Sequence, residues 1–78
     1  MKRRIRLTFP PQLIKEPVIF TMAMTYNVVP NIRRARVTED VGEMVLELEG
    51  ETENVERGIQ SMREKGLEVE LVEGDIIE

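Results

Sequence analysis

"GEMVLELEGETENVERGIQSMREKGLEVELV", Gly42–Val72, changes its hydrophobic period twice, and the fold can be read from those changes. Met44, Leu46 and Leu48 alternate with Val45, Glu47 and Glu49, the period of two expected of a strand with one apolar face. Gly50 ends that strand and Thr52 is placed to cap a helix, in which Val55, Ile59 and Met62 form an apolar stripe until Gly66 stops it. The period returns to two in "LEVELV", Leu67–Val72, with Leu67, Val69 and Leu71 inward.

Upstream the pattern repeats in the same sense. Ile5, Leu7 and Phe9 alternate with Arg4, Arg6 and Thr8 to give a strand, which Pro10-Pro11 ends. Pro17 suits the first position of a helix whose stripe is Ile19, Met22, Ala23 and Tyr26, and Asn27 tolerates the left-handed conformation that closes it. A further strand is predicted over about 31–38, with Ala35 and Val37 on one face and Arg34 and Arg36 on the other. Ile32 shares the arginine parity, which leaves the start of that strand undefined. "TEDVGE", Thr38–Glu43, is the turn into the strand of Met44, Leu46 and Leu48. The order β-α-β-β-α-β predicts an α+β fold: a ferredoxin-like sandwich whose four-stranded antiparallel sheet, order 4-1-3-2, carries both helices on one face.

The chain has 78 residues, no cysteine, no histidine and a net charge of −4. One domain over 1–78 is expected, and a chain of this length buries only about 60 to 65% of its unfolded surface, so self-association would help it. Without Cys or His there are no disulfides, thiolates, imidazole bases or usual zinc ligands. No stretch is long and apolar enough for membrane insertion, and a cytoplasmic location is the expectation.

Charge is unevenly distributed. Residues 1–36 hold eight of the eleven Lys and Arg but only Glu16 of the fifteen acids. Strand order 4-1-3-2 would mix the two halves on the uncovered face, setting Glu68 and Glu70 beside Arg4 and Arg6, these beside Glu47 and Glu49, and these beside Arg34 and Arg36. Opposite charges on neighbouring strands contribute about 0.2 to 1 kcal/mol per pair. That face holds Arg, Thr, Val and Glu, with no aromatic platform for unpaired bases, so the reading is no nucleic acid. Arginines on an edge strand serve instead to discourage stray sheet pairing.

Catalytic groups are not evident. The carboxylate pairs Glu39-Asp40, Glu47/Glu49 and Glu68/Glu70 fall in a turn or on the charged face, where nothing desolvates them. The glycines are spaced as turn, cap and helix-packing residues rather than as a phosphate loop. Met22, Met24, Met44 and Met62 fit either a core or a soft apolar pocket. The expectation is that the chain is not an enzyme.

"RIRLTFP", "EPVIFTMAMTYNV", "PNIRRARV" and the stretch quoted first together resemble the NIL domain, over nearly the whole chain. The family is named for an Asn-Ile-Leu triplet, which here reads Asn31-Ile32-Arg33, so the third position departs from the pattern. The resemblance implies a ferredoxin-like homodimer of the kind found at the C-terminus of methionine-importer ATPases, where it binds methionine and regulates transport. It implies a ligand site at Val29, Asn31 and Ile32, whose amide can both donate to a carboxylate and accept from an ammonium. Read from the residues alone, Asn31 serves equally as a turn residue after Pro30. The family's second setting is the NIL-ferredoxin proteins, whose N-terminal domain ends its first strand in a "TFP" like Thr8–Pro10 and leads through an acidic link into 4Fe-4S motifs. Residues 73–78, "EGDIIE", resemble that link. In that setting the domain would dock an iron–sulfur or sulfur-metabolism partner and bind no small molecule; these 78 residues hold no cofactor of their own.

Overall fold

The structure, a computed structural model, describes residues 1–72. The acidic stretch 73–78, read above as a link, lies outside the described residues.

Two strands with strict alternation take the centre of the sheet. β1 (Lys2–Phe9) pairs antiparallel with β3 (Gly42–Glu49), from Lys2 opposite Glu49 to Phe9 opposite Gly42. β4 (Glu68–Leu71) lies on the other side of β1, and β2 (Val29–Val37) on the other side of β3, giving the order β2-β3-β1-β4. Helices α1 (Val18–Tyr26) and α2 (Thr52–Lys65) cover one face. This is the ferredoxin-like α+β sandwich that the sequence pattern predicts.

The core lies between that face and the helices. Ile5, Leu7, Leu46 and Leu48 of the central strands meet Val18 and Met22 of α1 and Val55, Ile59 and Met62 of α2. The helices approach closely at Gly58, where a β-carbon would come within 2.8 Å of Met22 Sδ. Each helix ends in a left-handed residue: Asn27 at φ 58°, and Gly66 at φ 114°, an angle that side chains rarely tolerate.

Local departures from expectation have local causes. Residues 11–13 form a short 3-10 turn after the proline pair. Pro17 sits at the cap of α1 rather than at its first residue, and Glu51, extended at φ −66° and ψ 145°, takes the cap of α2, so Thr52 is helical instead of capping. Leu71 has the inward parity, opposite Ile5, yet is 45% exposed because β4 is a four-residue edge strand. In the 38–41 turn the Thr38 hydroxyl accepts from the Asp40 and Val41 amides at 3.2 and 3.0 Å.

The largest difference is in β2. It begins at Val29, and its register against β3 shifts between Ile32, opposite Leu46, and Arg34, opposite Val45. Arg33 is thus the extra residue of a β-bulge. The bulge moves Ile32 to the helix side with Ala35 and Val37, which resolves its parity.

Leu46 and Ile32 therefore face the same way in paired positions, one wholly buried and the other 53% exposed. Leu46→Ala is expected to lower the unfolding free energy by about 2 to 5 kcal/mol, and Ile32→Ala by less than about 1, as read by urea denaturation. Equal losses would mean that Ile32 belongs to the core.

Candidate functional site

Both candidate regions flank β2, the exposed edge of the sheet. On the helix side an apolar groove of about 390 Å³ runs between β2 and the start of α1. Pro10-Pro11 turns the chain away from β1, and Ile14 then packs over Gly42, where a β-carbon would meet its Cγ1 at 3.2 Å. That leaves a trough whose walls are Ile14, Val18 and Phe20 on one side and Ile32, Val37 and Met44 on the other. Phe20 is 66% exposed and Val37 54%. Glu16 is the one charged residue in the lining.

On the open face, a polar row continues the strand. Asn31 stands opposite Glu47 and Val29 opposite Glu49, and with Lys2 they line a shallow hollow of about 220 Å³. Glu47 is the anchor of this row, buried at 8% exposure in the middle of the sheet. Arg4 donates from Nη2 to its Oε2 at 2.8 Å, and Arg33, turned out by the bulge, brings Nη1 to 3.6 Å from Oε1. The hydrogen bond from Arg4, helped by the charges of Arg33, Arg4 and Lys2, holds the Glu47 carboxyl below its ordinary 4.5 against an opposing desolvation.

The three ligand residues implied by the resemblance are thus divided by the sheet. Asn31 and Val29 share the open-face hollow, Ile32 lines the apolar groove, and Pro30 borders both. A ligand reaches both sets only by lying across the edge of β2. The sequence reading missed Ile14, Glu16 and Phe20. Phe20 carries a legible signal, since a phenylalanine off the Ile19, Met22, Ala23, Tyr26 stripe has no place in the core.

The charge pattern of the open face also departs from expectation, because it follows the pairing registers of β1 and of the β2–β3 hairpin. Arg4 faces Glu47 and Arg6 faces Glu70 as expected, but Arg6 and Arg34 both lie opposite Val45, Arg36 lies opposite Glu43, and Glu68 lies opposite Thr8. Among the described residues, no group of three or more acids is placed to hold a metal ion, and no helix is long and apolar enough to cross a membrane.

The family model for the NIL domain matches residues 3–71 of this two-layer sandwich, and the chain belongs to that family. The fold superposes on the crystal structure of the C-terminal domain of an ABC transporter ATP-binding protein from Enterococcus faecalis. The TM-score is 0.80 at 25% sequence identity, over 94% of this chain and 86% of that one. No curated protein matches the chain.

Because the folded pKa of Glu47 is depressed, its contribution to stability is complete above about 4.5 and disappears as pH falls through the lower folded value. Urea midpoints measured from pH 7 downward should therefore show wild type more stable than Glu47→Gln at neutral pH, with the two converging in acid. A gap that stays constant with pH would show that the carboxylate charge is not what stabilises this row.

Proposed function

We propose that this chain is a non-enzymatic, cytoplasmic sensing domain that binds methionine or a related sulfur amino acid along the edge of β2, as a homodimer. The observation that carries the reading is the apolar groove of about 390 Å³, a size typical of small-molecule sites, beside an amide on the same strand. A thioether side chain fits a trough walled by Ile14, Ile32, Val37 and Met44. The polar end of the ligand would lie over the strand edge, where Asn31 supplies an amide and the unpaired backbone supplies donors and acceptors. Glu16, at the groove, has the charge to hold an ammonium group. Membership of the NIL family and the likeness to the C-terminal domain of an ABC transporter ATP-binding protein support a role regulating such a transporter. The mechanism is differential binding: the ligand favours one dimer or docking geometry by no more than its difference in affinity for the two.

A second reading rests on the exposure of Phe20, Ile32 and Val37, at 66, 53 and 54%. Neighbouring apolar residues in solvent mark protein interaction sites, and here the partner would be an iron–sulfur protein of sulfur metabolism.

An amide-correlation NMR titration with methionine, homocysteine, cysteine and aspartate separates the two. With methionine, shifts should cluster at Ile14, Ile32 and Val37 and at Asn31, Ile32→Asp should abolish them, and Asn31→Ala should weaken binding about tenfold, the loss of one charge-assisted hydrogen bond. Silence towards all four amino acids would refute the sensor and leave the docking reading.

A further inference from the structure

The open face contains a second hollow, of about 450 Å³, lined by Arg6, Arg34, Arg36, Glu43, Met44 and Val45. It lies apart from the groove, on the other side of the sheet. Its centre is Val45, which stands between Arg6 of β1 and Arg34 of β2. Two strand spacings separate these arginines, about 10 Å. Where the next row along the sheet closes its charges on Glu47, this row has an apolar residue in the corresponding place. Arg6 is drawn towards Glu70 at 3.0 Å, an exposed pair, while among the described residues Arg34 and Arg36 enter no ion pair. Glu43, opposite Arg36, is the single acid in the lining.

The geometry points to an oxyanion site: we infer that the hollow over Val45 binds a doubly charged phosphate group, held by Arg34 and Arg36 and capped from the far side by Arg6. Planar guanidinium forks match phosphate oxygens two at a time, and a dianion compensates Arg34 and Arg36 together, where the sheet itself offers only Glu43, opposite Arg36. Val45 makes the floor aliphatic and no aromatic side chain lines the hollow, so the site offers its guanidinium groups to a phosphate rather than an aromatic platform to a base. The ligand class is a small phosphate monoester or diphosphate.

The test is an NMR titration of the whole chain at low salt with pyrophosphate, O-phosphoserine and, for comparison, acetate, each to about 10 mM, a range that detects dissociation constants in the millimolar region. Pyrophosphate and phosphoserine should shift the Val45 amide and the Arg6, Arg34 and Arg36 side-chain Nε–H signals, and acetate should not. Arg34→Ala should weaken binding about tenfold or more, Arg34→Lys should recover only part of it, and Glu43→Gln should strengthen it several-fold. Val45→Glu is the sharpest variant, because it places a carboxylate between the arginines: binding should vanish while the melting temperature holds or rises. Arg57→Ala, on α2 in a pair with Glu53, should change nothing. Equal response to acetate, or binding retained in Val45→Glu, would overturn the site. So would a single-stranded RNA that binds more tightly than pyrophosphate and shifts the whole face, since the ligand would then be a polyanion. Of the shifts expected for an amino acid, those at Ile14, Ile32 and Val37 are on the opposite face and only Asn31, opposite Glu47, shares this one, so the Val45 amide and the arginine side-chain signals are read independently of the sensing result.

Discussion

One extra residue in β2 governs both faces of the molecule's free edge. A strand repeats every two residues, so a single insertion exchanges the faces of everything on one side of it. With Arg33 in the bulge, Ile32 joins Ala35 and Val37 on the helix side, and Asn31 joins Arg34 and Arg36 on the open side. Had the strand run regularly, Ile32 would stand among the arginines and the apolar groove would lose a wall. The extra residue itself is not idle, for Arg33 leans back over Glu47 and becomes the second cation on the buried carboxylate.

The rest of the sheet is ordinary in its energetics, which is why the edge can be unusual. β1 and β3 are central, paired along their full lengths, and Ile5, Leu7, Leu46 and Leu48 on their inward side are wholly excluded from solvent. Their outward residues are tied by the Arg4–Glu47 pair, with side chains about one tenth exposed, in contrast to the exposed Arg6–Glu70 pair, which contributes little. Stability is therefore concentrated in the middle of the sheet. β2, whose residues are exposed or half-buried along its whole length, is left to present side chains to whatever binds there.

An edge strand of this kind carries opposing features. Its backbone is open to pairing, and its helix side is apolar, which invites association; its other side bears three arginines, which repel a second copy of the same surface. The combination permits approach by a small zwitterion or an anion, or by a partner of complementary charge, more readily than indiscriminate sheet extension.

The alternation in "RIRLTF" and "GEMVLELE", the helical stripe of Val55, Ile59 and Met62, and the stops at Asn27 and Gly66 determined the element order and the core, because each is a local regularity imposed by backbone geometry. The same residues carried the likeness to the NIL family. The position of the bulge could not be read in advance: Ile32 showed only a parity conflict, and the conflict is resolved by which residues of β3 it faces. The groove was equally hidden, since Ile14, Glu16 and Phe20 are distant in the chain from Ile32 and Val37 and meet them only when β2 closes against α1. The charge map failed by one step for the same reason, placing Arg34 beside Glu47 when the fold places it beside Val45. Local pattern decides which face of a strand is apolar, whereas register, set by pairing between segments far apart in sequence, decides which side chains become neighbours.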